Sequence, residues 1–208
     1  MRTASKIELL EQRRLLAGSV AASLNGAGDL VLTGDNAANN VVVTASATGY
    51  SVTGTGTSIK SSIAGAVAIA GGFFVPDETR DLSISLGKGD DSVTIAGVLG
   101  DSDVTILTAQ GNDDVILAEG SSNAGSIDID TGQGSDEVKL DSFEFFESTL
   151  AVKLGQGSDR VSVARNSFLI LSAATIDGGN GGDALVGDSR LGVASSTLDL
   201  ISVETRSA

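Results

Sequence analysis

Five aspartates, Asp91, Asp113, Asp136, Asp159 and Asp183, close the same short phrase, Gly-x-Gly-x-Asp, with an apolar residue two positions on. Ala109 stands for the first glycine in one copy. The second glycines fall at Gly89, Gly111, Gly134, Gly157 and Gly181, in steps of 22, 23, 23 and 24 residues. Carboxylates repeated in this way would stack about 4.8 Å apart, the spacing of neighbouring strands. Like charges at that separation repel, so the row needs either a positive neighbour or another use for its oxygens. Arg160, directly after Asp159, is one such neighbour. A local use is the Asx-turn, in which a turn aspartate accepts from its own backbone two residues on. Between the glycines stand Lys88, Gln110, Gln133, Gln156 and Asn180, a column suited to stacked amides. The chain has no histidine and no cysteine, which excludes histidine acid–base catalysis, zinc–thiolate sites and disulfides.

The elements that must position these turns are read from the residues between them. An alternating apolar pair precedes each glycine turn: Leu82/Ile84, Val104/Ile106, Ile127/Ile129, Leu150/Val152 and Ala174/Ile176, with Leu198/Leu200 continuing the series. A second pair follows each aspartate: Val93/Ile95, Val115/Leu117, Val138/Leu140, Val161/Val163, then Leu185. Period-2 alternation makes these strands with an inner and an outer face. A third, shorter side is expected at Val98/Leu99, and Phe145, Phe168 and Leu191 are expected to stack as one internal ladder. The stretch 118–126 lacks that side and is expected to bow outward. Repetition at a fixed period is the mark of a solenoid. About 23 residues per coil, three sides and one glycine turn predict an all-β, single-stranded parallel β-helix. Right-handed crossover is the default for parallel strands.

Upstream, Leu30-x-Leu32 and Val41-x-Val43 read as a degenerate first coil, with Asn39 where later coils place aspartate. Residues 50–80 are the least regular. A loop is expected at 72–77 around Pro76, with Phe73 or Phe74 covering an open side. The domain division is 1–25, an export signal or a short capping helix, and 26–208, the β-helix. Four of the 13 basic residues (Arg2, Lys6, Arg13, Arg14) lie in the first fourteen positions, ahead of a small apolar segment. A net charge of −14 argues against nucleic acid as a partner. No apolar run reaches the length of a membrane-spanning helix.

Two resemblances add to this. The Gly-x-Gly-x-Asp-x-apolar unit resembles the repeats-in-toxin, or haemolysin-type, calcium repeat. That resemblance implies calcium as cofactor, with Asp91, Asp113, Asp136, Asp159 and Asp183 as its ligands, because calcium takes six to eight oxygens. The unit departs from the family pattern at its first glycine, kept only as Gly178 and replaced by Leu86, Thr108, Thr131 and Leu154. The segment Ile7-Glu8-Leu9-Leu10-Glu11-Gln12-Arg13-Arg14-Leu15-Leu16 resembles one near the start of large secreted or surface proteins of planctomycete bacteria. It implies a secreted or cell-surface location.

The expected function is a non-enzymatic structural or adhesive module, stiffened by calcium, with a cell-surface or matrix component as partner. End-to-end self-association is also expected, through the strand edge at 198–208. The alternative is a carbohydrate-active β-helix that binds or cleaves acidic polysaccharide, for which Asp128, Asp130, Lys153 and Asp177 share one outward face.

Overall fold

In the computed structural model, residues 18–76, 81–123, 125–164, 167–187, 198–202 and 204–206 are described. The expected N-terminal helix and Leu191 lie outside them. The described chain is all-β.

The first coil opens with β1 (Ser19–Leu24), β2 (Leu30–Thr33) and β3 (Asn40–Ser46). An excursion follows: β4 (Gly49–Gly54), β5 (Ser58–Ser61), β6 (Val67–Ile69) and β7 (Gly72–Pro76). Regular coiling then begins with β8 (Leu82–Ser85) and β9 (Ser92–Gly100), followed by β10 (Val104–Leu107) and β11 (Asp114–Asn123). Next come β12 (Ser126–Asp130), the long β13 (Glu137–Lys153), β14 (Gln156–Gly157) and β15 (Arg160–Val163). The chain continues through β16 (Phe168–Asp177), β17 (Asn180–Gly181), β18 (Ala184–Val186), β19 (Leu198–Ile201) and β20 (Glu204–Arg206).

Parallel pairing stacks one coil on the next. On one side Leu30, Leu82, Val104, Ile127, Leu150, Ala174 and Leu198 are successive partners. On the other side Val41, Val93, Val115, Val138, Val161 and Leu185 are successive partners. Apart from Leu198, whose side chain is not described, all of these are buried to 2% exposure or less. The core is therefore two columns of branched aliphatics, which narrow repeated layers need and which a chain without tryptophan can fill. The roughly 23-residue solenoid predicted from the repeat is the observed architecture.

The third side differs in detail from expectation. The 118–126 stretch does not bow out: Gly120–Asn123 continues β11 and pairs with Phe143–Phe146 of β13. Positive φ at Glu119, Ser142 and Glu147 turns the corners without ending the strands. A side chain on Gly120 would meet the Gly97 carbonyl and the Phe143 ring, so that glycine makes room for a fully buried phenylalanine. Register also shifts the expected phenylalanine ladder by one residue. Phe145 stands opposite Leu169, and Phe168 opposite Glu144.

In the irregular stretch the alternation at Tyr50/Val52 and Val67/Ile69 does form strands, and Gly72–Pro76, expected as a loop, is a strand as well, so that the three build a small antiparallel sheet. β4 pairs with β3 and with β7, and β6 adds to β7. Phe73 is buried in it, as expected of a cover, and Pro76 ends β7. Tyr50, also buried, reaches Ser102 Oγ with its hydroxyl at 3.2 Å. β1 lies inside the 1–25 segment yet belongs to the sheet, pairing with β2 and β5 and burying Val20 and Ala22.

Candidate functional site: the aspartate column

The glycine turns stack as tightly as their strands. Backbone bridges join Lys88 to Gln110, Gln110 to Gln133 and Gln133 to Gln156, and β14 pairs Gln156 with Asn180. The second glycines are required twice over. Gly134, at φ +151°, has a backbone that side chains rarely adopt, and a Cβ there would run into the Gly111 carbonyl oxygen.

Alternation carries straight through the turn. Asp91 is two residues before inward Val93, so its side chain also enters the interior, and the same holds for the other four. All five aspartates are 2–3% exposed. Each Oδ1 accepts the backbone N–H of the equivalent residue one coil earlier. Asn39 N–H donates to Asp91 at 2.7 Å, Asp91 to Asp113, Asp113 to Asp136 and Asp136 to Asp159 at 2.8 Å, and Asp159 to Asp183 at 3.0 Å. The structure thus brings the five predicted residues together as one column, headed by Asn39. Their bonds run between coils, not to their own turns, so the Asx-turn reading is replaced by an inter-coil ladder.

The second oxygen of each carboxyl is different. Oδ2 of all five aspartates is buried and has no hydrogen-bond partner. Loss of hydration is the largest influence on Asp91 and Asp159 and pushes both up to about 6 from an ordinary 3.8. Asp113 and Asp136 are raised for the same reason, but the Thr108 and Thr131 hydroxyls work against the rise. Those threonines stand where Asp91 and Asp159 have Leu86 and Leu154, all four at 0% exposure. Among the described residues no positive charge stands beside the column. Arg160 faces outward, 3.6 Å from Glu137, and Lys139 bonds Asp114 and Glu137 at 2.9 and 3.1 Å.

Calcium can be tested against these oxygens. Of the turn carbonyls, those of Gly87, Ala109, Gly132 and Gly155 and those of Gln110, Gln133 and Gln156 already accept inter-coil N–H groups. What a turn retains is Oδ2, the second-glycine carbonyl and the carbonyl of the residue after it, short of the six to eight oxygens calcium takes. Among the described residues no three acidic side chains converge on a metal-sized space. The column as built does not fit a calcium cage.

Two ladders were not anticipated from the sequence. Asp90 Oδ1 accepts from Asn112 N–H at 2.8 Å, and Asn112 Oδ1 from Ser135 N–H at 2.9 Å. At the next corner Asp81 Oδ1 accepts from Asp103 N–H at 2.9 Å, and Asp103 Oδ1 from Ser126 N–H at 2.8 Å. Their signal was an Asp, Asn or Ser at the solenoid period in corner positions. On the outward face, Asp130, Lys153 and Asp177 are register partners. Lys153 lies 3.6 Å from Asp130, and Asp177 caps the Gly179 N–H at 2.9 Å.

Comparison with protein families, curated proteins and solved structures finds no match. Among the described residues no helix is long and apolar enough to cross a membrane. The chain itself is a β-solenoid with a buried aspartate column.

Proposed function

We propose that the chain is a non-enzymatic structural or adhesive β-solenoid module of a secreted or cell-surface bacterial protein. The observation that carries this reading is the direction of the aspartates. The chain's most repeated chemical group faces inward and joins coil to coil, so the motif serves rigidity. Two of the outward acids are engaged within the fold as well, Asp130 in an ion contact with Lys153 of the next coil and Asp177 in a backbone cap on its own turn. A stiff rod with a mixed polar surface suits a spacer or a scaffold that holds a partner at a distance, and it suits end-to-end contact with a second copy.

The carbohydrate-active alternative keeps one supporting observation, the shallow open groove along Asp130, Lys153, Gln133 and Gln156. One experiment separates the two. The purified chain is incubated with acidic polysaccharides, and new reducing ends and retention on immobilised polysaccharide are both measured. Retention or inertness without cleavage fits the structural module. Cleavage that is lost in Lys153→Ala would replace it with the enzyme.

A further inference from the structure

Each aspartate of the column uses one oxygen and strands the other. Oδ1 holds the preceding coil, whereas Oδ2 is buried without a partner on a residue at most 3% exposed. The head of the column shows what that second position accommodates. Asn39, 1% exposed, carries an amide nitrogen there, which donates to the Ala37 carbonyl at 2.7 Å, to the Asp35 carbonyl at 3.3 Å and to Asp91 Oδ1 at 3.2 Å, while its own Oδ1, at the head of the column, is buried without a partner. The second atom of the side-chain head therefore looks back at carbonyl oxygens of its own turn. In the coil of Asp159 the carbonyl equivalent to that of Ala37 belongs to Gly157. A hydrogen donor suits this position, and a bare carboxylate oxygen is the poorest group to place there.

No cation is among the groups that bear on the column, and the only side-chain relief comes from the Asn39 amide at Asp91 and from two threonine hydroxyls at Asp113 and Asp136. Its electrostatic neighbours are its own members together with Asp35 and Asp90, and its hydroxyl neighbours are Thr108 and Thr131.

We propose that the column is a metal-independent hydrogen-bond spine in which asparagine can replace aspartate with a gain in stability. Oδ1 does the joining, and Oδ2 serves no ligand. This departs from what the repeat's resemblance implies, since a calcium ligand would lose its purpose on conversion to an amide.

The test uses the full chain, with Asp159→Asn and Asp159→Ala beside the parent. Each is melted at neutral pH in chelator and in millimolar calcium chloride. The expected order is Asp159→Asn above the parent by several degrees and Asp159→Ala below Asp159→Asn, with no protein shifting between chelator and calcium. The alanine variant separates loss of the acceptor from loss of the charge. The spine is overturned if Asp159→Asn melts at or below the parent or fails to fold, or if alanine does as well as asparagine. It is equally overturned if calcium raises the parent's melting temperature and that rise disappears in Asp159→Asn.

Discussion

Acidification should stabilise this protein over a range in which many proteins begin to weaken. The perturbation is a change from pH 8 to pH 5, and the groups concerned are Asp91 and Asp159, raised by burial from 3.8 to about 6. A carboxyl whose folded-state pKa lies above its unfolded value favours the fold most below the unfolded value. That contribution is lost as pH rises through about 6. For each carboxyl the whole effect is about 3 kcal/mol, of which roughly half is recovered by pH 5. Two carboxyls then give roughly 3 kcal/mol, or a rise in Tm of roughly 6–11 °C in a chain of this size. Asp113 and Asp136 add in the same direction. Lower pH also relaxes the repulsion of a −14 net charge, so the assay needs a control. Circular dichroism melts are compared for the parent, Asp159→Asn and Asp128→Asn, which removes an exposed outward carboxylate. The slope of Tm against pH should shrink in Asp159→Asn and persist in Asp128→Asn. Equal slopes in all three would show that net charge, not the buried column, sets the response. A parent that melts lower at pH 5 than at pH 8 would refute the burial argument outright.

Other substitutions probe the coil itself. Ala109 holds φ +75° where the neighbouring coils have glycine, so Ala109→Gly should stabilise by about 1 kcal/mol, read as a higher urea midpoint with unchanged slope. Val138→Asp puts an unpaired carboxylate at a fully buried position of the second apolar column and should cost several kcal/mol. A melting temperature within a degree or two of the parent would contradict the inward assignment. Deleting residues 114–136, one whole coil, should leave a folded and cooperatively melting β protein, whereas deleting residues 114–124 should not.

The architecture was legible in the sequence because a solenoid writes its geometry as a period. Leu82, Val104, Ile127, Leu150 and Ala174 recur at the register offsets the strands show, and Asn39 was recognisable as a column member although 52 residues separate it from Asp91. The direction of the aspartates was legible too, through their two-residue spacing from Val93, Val115, Val138, Val161 and Leu185. A turn, however, suggests solvent and metal more readily than a packed interior. What stayed hidden depended on single-residue shifts. Leu140 pairs with Val163 but Glu144 with Phe168, so one extra residue in the later coil between Val163 and Phe168 moves Phe168 out of line with Phe145, and spacing alone cannot place it. The antiparallel pairing of the excursion, and its strand at Gly72–Pro76, were hidden for another reason. Its strands pair within the excursion and onto β1 and β3, so they share no period with the coils.

The side-chain ladders explain why a whole coil should be removable. On the inner column the later coil supplies the acceptor: Asp136 Oδ1 receives the N–H of Asp113, and Asp159 that of Asp136. On the outer side of the same turn the earlier coil supplies it, Asp90 to Asn112 and Asn112 to Ser135. Each coil therefore presents the same pair of complementary edges, a donor and an acceptor facing each way. Such an edge matches any other coil as well as its own neighbour, as expected of a repeat stabilised by nearest-neighbour interfaces. Excision of 114–136 brings Asp113 N–H to Asp159 Oδ1 and Val93 against Val138. It also brings Val104 against Leu150, and it seats Phe143 over Gly97, which already faces Gly120 in register. The apolar columns and the backbone ladder of the missing coil have like contacts to replace them, and what is lost is the pair of ion contacts Lys139–Asp114 and Lys153–Asp130. Excision of 114–124 instead removes β11 but keeps β12, so the aspartate of one coil meets the flank of the next, and Asp136 is left buried with neither oxygen bonded.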